Sequence, residues 1–165
     1  MTRLLACAAF LVFLLLAWAA RDHPTLAGAR WDAGDPPVAV GHIFEGEINR
    51  AGRPGGFHHR PDGRDLANAR LARRLAGPND AGIYTGRVEI RRDDSAPWQE
   101  KFSSFFPDRL ARDEVLALIR RAFRAAGTRD GRKWRGPSGH GFEIEGWIDR
   151  QGRIVTAYPL YRAGP

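Results

Sequence analysis

The sequence predicts an α+β domain in which a few helices pack on antiparallel β-sheet. Three observations predict it. Residues 84–91 alternate, with Tyr84, Gly86, Val88 and Ile90 on one side and Thr85, Arg87 and Glu89 on the other, the mark of a half-buried strand. The strand-like runs come in pairs separated by short turn-forming stretches, and only antiparallel neighbours can be joined so briefly. Residues 113–126 carry one apolar face at helical spacing, formed by Val115, Leu116, Leu118, Ile119, Ala122 and Phe123, with Gly127 to stop it.

The first 20 of the 165 residues stand apart from that domain. Arg3 precedes an apolar run from Leu4 to Leu16, and Ala17-Trp18-Ala19 has the small-x-small pattern that signal peptidases read. This predicts a signal peptide cleaved near Ala19 and a secreted or periplasmic product. An uncleaved N-terminal membrane anchor is the alternative, although the run falls short of the ~20 apolar residues that a spanning helix wants. After cleavage no stable membrane insertion is expected. Cys7 is the only cysteine and lies inside this segment, so the mature chain has no disulfide, thiolate chemistry or cysteine-ligated zinc. Residues 21–37 are rich in Pro, Gly, Asp and Ala without periodicity and predict a flexible arm, with the domain occupying 38–165.

Within the domain, residues 45–49 and 56–59 read as short strands across the turn Arg50-Ala51-Gly52-Arg53. Residues 66–75 read as a short helix with Leu66, Leu71 and Leu75 as its apolar residues, ended by Gly77-Pro78. Strand 84–91 then turns at Asp93-Asp94-Ser95-Ala96-Pro97 into a partner over 99–106. The helix over 113–126 follows, and residues 129–140 read as a basic, glycine-containing loop. A second hairpin joins 142–148 to 153–161 through Asp149-Arg150-Gln151-Gly152.

The formal charge of +7 becomes +6 once Arg3 leaves with the signal peptide. A polyanion suits such a surface. Of the 26 basic residues only Lys101 and Lys133 are lysines, and guanidinium groups make bidentate contacts with phosphate oxygens. For any single arginine, a solvated surface position explains the residue equally well.

Three of the five histidines, His42, His58 and His59, fall within eighteen residues. Imidazole can give and take protons near neutral pH, and a facing pair can act as base and acid in one reaction. If residues 56–59 form a strand, alternation lets only one of His58 and His59 face His42. Lys101 opens the run Phe102-Ser103-Ser104-Phe105-Phe106-Pro107. Pointing inward it supplies a fixed positive charge, whereas on an edge strand it discourages aggregation. Along 153–159, alternation predicts Ile154, Thr156 and Tyr158 on one face, where a phenol and a hydroxyl can hold a base or ribose. Imidazoles also suit zinc or copper, but no helical His-x-x-x-His pair is present, and neither metal nor cofactor is expected.

The ordered set Gly41-His42-Ile43-Phe44-x-Gly46-Glu47-Ile48-Asn49, Gly56-Phe57-His58-His59, Phe105-Phe106-Pro107 and Ile154-x-Thr156-Ala157-Tyr158-Pro159 resembles the bacterial EndoU nuclease domain from about Val40 to Tyr161. The resemblance implies the helix-and-antiparallel-sheet plan shared with barnase-like ribonucleases. It implies an endoribonuclease with His42 and His58 as the catalytic pair, His59 as the alternative to His58, and Lys101 as the catalytic lysine. Thr156 and Tyr158 correspond to the pair near the substrate base. Ser104 and Lys133 are further substrate contacts, and Lys133 is the second candidate for the lysine.

That chemistry implies attack by a ribose 2′-hydroxyl on the adjacent phosphorus, giving a 2′,3′-cyclic phosphate. RNA is the expected substrate and DNA is not. Export suggests a toxin, which calls for a cognate immunity protein, or a scavenging nuclease. The rival readings are a non-catalytic exported domain that binds RNA or a protein partner, and a secreted metal-binding protein.

Overall fold

The computed structural model describes residues 30–164, so the predicted signal peptide, Cys7 and the first part of the arm lie outside the described residues. The architecture is α+β, with two α-helices, one short 3-10 helix (Pro61–Gly63) and nine strands in three antiparallel sheets among those residues. Helix α1 (Val40–Glu45) is followed by β1 (Glu47–Ile48) paired with β2 (Pro54–Gly55). Strands β3 (Ala69–Ala76), β4 (Tyr84–Ile90) and β5 (Gln99–Phe105) form the second sheet in that order. Helix α2 (Arg112–Arg124) leads into the third sheet, β6 (Thr128–Asp130), β7 (Lys133–Pro137), β8 (Glu143–Ile148) and β9 (Ile154–Pro159).

Helix α2 forms where its apolar stripe predicts. Val115, Leu118, Ile119 and Ala122 are buried, and the Glu114 carboxylate accepts the Ala111 N–H at 2.7 Å. Asp113 and Glu114 in the first turn and Arg121 and Arg124 in the last complement the helix dipole. The buried stripe packs on the four-stranded sheet so closely that a Cβ at Gly136 would overlap the Ala122 carbonyl. Phe123 meets Trp134 edge to face at 5.3 Å. With Ile43, Phe44, Phe106, Ile144 and Ile154 these residues form the larger core, each fully buried aliphatic side chain contributing about 1.5–3 kcal/mol. A second core under the three-stranded sheet holds Phe57, Tyr84, Val88, Ile90 and Phe105.

The predicted hairpins over 84–106 and 142–161 are present, but three local expectations are corrected. Residues 66–75 do not form a helix. From Ala69 onward they belong to β3, paired with β4, and two register shifts, between Leu71 and Arg73 and between Arg74 and Ala76, erase the alternation that would have marked a strand. Residues 129–140 are not a loop. They include most of β6 and all of β7, joined by the turn Gly131-Arg132, where Gly131 has φ +58°. Residues 56–59 are not a strand. Gly56 and Phe57 both have positive φ, +73° and +58°, which extended pairing excludes.

The described part of the predicted arm lies on the domain. Ile154 N–H donates to the Pro37 carbonyl at 2.9 Å and Ala39 N–H to the Ile154 carbonyl at 3.0 Å, covering the β9 edge. Asp32 pairs with Arg120, and the Arg153 guanidinium lies 4.1 Å from the Trp31 ring centre.

Candidate active site

The site forms where α1, the 56–60 segment, β5 and β9 meet. Helix α1 buries Ile43 and Phe44 while leaving His42 partly accessible, and Gly46, with φ +72°, ends it. Gly56 is required by a close approach, because a Cβ there would overlap the His42 carbonyl. Phe57 N–H donates to that carbonyl at 3.0 Å, and His58 N–H donates to the Ile43 carbonyl at 2.7 Å. The backbone of one histidine is thereby tied to that of the other. Non-glycine residues pay for a positive φ, and the buried Phe57 side chain, T-shaped on Phe105 at 5.7 Å, offsets that strain.

The His42 and His58 ring centres are 6.5 Å apart. Each ring is held through Nδ1. His42 Nδ1 lies 3.0 Å from the Glu47 carboxylate. His58 Nδ1 lies 3.0 Å from both the Ser104 carbonyl and Ser103 Oγ, whose hydroxyl donates to the Phe57 carbonyl at 2.8 Å. A carbonyl can only accept, so Nδ1 of His58 carries the proton and Nε2 keeps its lone pair. Burial, followed by the charges of Lys101 and His42, holds the His58 imidazole well below the ordinary histidine value. It is 7% exposed.

Lys101 points inward from β5 and donates from Nζ to the Gly56 carbonyl at 2.7 Å. Burial lowers its ammonium pKa to about 8. Tyr158 packs on the other side of His58, with ring centres 5.4 Å apart. Its hydroxyl donates to Glu145 at 2.6 Å, and burial together with that bond raises its pKa. Glu145 also pairs with Lys133 at 2.9 Å and Arg135 at 2.7 Å. Burial alone would raise its pKa, but the bonds from Tyr158, Arg135 and Lys133 outweigh it and hold the carboxyl below the usual range. Lys133 therefore sits on a strand beside Tyr158, with its ammonium 5.7 Å from the Trp147 ring centre, and it does not meet the histidines.

Two further placements differ from the sequence reading. Ile154 is in the larger core with Ala157, whereas Thr156 and Tyr158 lie opposite Trp147 and Glu145 on the other face. A bulge at Val155, opposite the Trp147–Ile148 step, separates them. Ser104 reaches His58 only through its carbonyl. Alternation gives Lys101 and Ser103 the inner face of β5 and puts the Ser104 hydroxyl on the opposite one.

His59 turns away. It is 0% exposed and meets Phe44 edge to face at 5.6 Å. Neither ring nitrogen completes a hydrogen bond, and burial lowers its pKa despite the nearby backbone of Leu110 and charge of Asp108. Sequence reasoning missed Glu47, Ser103, Glu145 and Trp147. Glu47 sits within the quoted motif, so its spacing from His42 was visible, but only the helix end at Gly46 brings the carboxylate back to the ring.

Comparison with known proteins follows the same outline. Bacterial EndoU nuclease is the family whose description matches, over residues 37–161. A protein named Toxin from Bacillus cereus is 29% identical over 127 residues, covering 74% of this chain. The chain spans 22% of that relative's length. No solved structure matches. With a family match over most of its length and an α+β fold of three antiparallel sheets, the chain belongs to the bacterial EndoU nuclease family.

Proposed function

We propose that this nuclease is an exported endoribonuclease that cleaves single-stranded RNA by transesterification and serves as a toxin. The observation that carries the chemistry is the facing pair His42 and His58, each held by Nδ1 so that Nε2 is the nitrogen left for substrate. His58 is the base, since its surroundings favour the neutral form with an available lone pair. It takes the proton from the ribose 2′-hydroxyl as that oxygen attacks phosphorus. His42, held by Glu47, donates a proton to the departing 5′-oxygen. Lys101 supplies positive charge for the equatorial oxygens of the phosphorane, and Tyr158 and Thr156 hold the base or ribose. The products are a 2′,3′-cyclic phosphate and a free 5′-hydroxyl.

The name of the Bacillus cereus relative supports the toxin role, and a cognate immunity protein is the partner that such a role requires. Export rests on the apolar N-terminal segment.

Protein lacking residues 1–19 is expected to cleave a defined single-stranded RNA in EDTA, leave DNA intact and produce cyclic phosphate ends. His42→Ala and His58→Ala are each expected to lower kcat by about 10²–10⁴-fold. Wild-type rates in either variant refute the pair. Salt-sensitive RNA binding without new ends identifies a non-catalytic binding domain instead.

A further inference from the structure

The three-stranded sheet has a second face, opposite the core that holds Phe57 and Phe105. On it the register sets Arg73 opposite Arg87 and Arg87 opposite Phe102, with Arg70, Glu89 and Glu100 as the next row. Like charges directly opposite each other on a sheet are destabilising, so the Arg73–Arg87 pair costs stability in the free protein. The adjoining carboxylates relieve this only in part. Glu89 is held by Arg70 at 2.7 Å, while Glu100 lies 3.7 Å from Arg87, and Arg73 forms no ion pair among the described residues. Beside this pair Phe102 is 52% exposed, the most exposed large apolar side chain described. Trp98 lies at the far end, bracketed by the Arg70 and Arg91 guanidiniums at 4.2 and 4.5 Å.

An open aromatic face beside two mutually repelling guanidiniums suits a strand of stacked bases and phosphates. The strip lies across edge strand β5 from the candidate site, on the face opposite Lys101 and Ser103. Phe102 is two residues, about 7 Å, along the same strand face from Ser104, whose carbonyl holds His58. We propose that this face binds the single-stranded RNA beyond the reacting nucleotides, with Phe102 stacking on a base and Arg73 and Arg87 holding phosphates. The proposal rests on the ribonuclease reading for the identity of the polyanion.

The test measures binding of a fluorescent, 2′-O-methylated RNA decamer, which cannot be cleaved by 2′-hydroxyl attack, in parallel with cleavage of an unmodified dinucleotide. Phe102→Ala is expected to weaken decamer binding about tenfold. Arg73→Gln/Arg87→Gln is expected to weaken it and to reduce the slope of log Kd against log salt by about 1.4. Both variants should cleave the dinucleotide at the wild-type rate. Decamer affinity and salt slope within error of wild type in both variants overturn the proposal and leave the face to a protein partner. Failure of the wild type to cleave the dinucleotide refutes the ribonuclease reading separately, because the decamer arm does not depend on cleavage.

Discussion

His58 Nδ1 faces an obligate acceptor, so the ring presents the same nitrogen to the cleft whether neutral or charged. This gives the proposed mechanism a defined pH dependence. Activity should rise as His58 loses its proton, at a pH below the ordinary histidine value, because burial and the neighbouring charges of Lys101 and His42 oppose protonation. It should fall at higher pH as Lys101, whose ammonium pKa burial lowers to about 8, deprotonates. A kcat/KM profile checks both limbs, and Lys101→Arg should move the upper limb to higher pH. Glu145 gives a second residue-scale prediction. Glu145→Ala removes the acceptor of the Tyr158 hydroxyl and the partner of two cations, so RNA should bind more tightly while kcat falls about tenfold, on the order of one lost charged hydrogen bond. Steady-state kinetics separate the two effects through KM and kcat.

Among the elements, the 56–60 segment is closely constrained by backbone contact with α1. Gly56→Ala meets the His42 carbonyl and also imposes a positive φ on a residue with a Cβ, so the folded state should lose at least about 1–2 kcal/mol. Urea denaturation measures the loss, and Gly52→Ala, which has positive φ but open space around it, separates backbone strain from the clash. The same segment shows what was legible in the sequence. His42, His58, Lys101 and Tyr158 stand in recognisable motifs, and the structure brings them together. That only one of the doubled histidines faces His42 was also readable, although a left-handed pair at Gly56 and Phe57, not strand alternation, divides them. Alternation failed wherever a bulge intervened, as it did for β3 and for Ile154. The β6–β7 hairpin was obscured by its charge, because Lys133 and Arg135 face Trp147 and Glu145 and not the core. Ser103 and Ser104 are chemically identical, and only the parity of Lys101 distinguishes them.

For the whole molecule, two buried histidines link folding to pH. His58 and His59 both hold protons less well folded than unfolded. The unfolded chain therefore takes up more protons below the ordinary histidine pKa. Their contribution to stability is full above about pH 6.5 and is lost as the pH falls towards the depressed folded values. The urea midpoint should drop between pH 7.5 and 5, and His59→Leu should flatten that decline by leaving no buried imidazole beside Phe44.

The bridge between Val38 and Ile154 and the packing of Tyr158 on His58 have a further consequence in the order of synthesis. Both histidines leave the ribosome early, but the strand that seats the segment before α1 and supplies Tyr158 is β9, the last in the domain. A nascent chain thus carries His42 and His58 before β9 supplies Tyr158 and seats the segment before α1, so on the proposed mechanism activity awaits the last strand. A chain ending at Gly152 should be inactive on RNA even at concentrations that saturate the full-length protein.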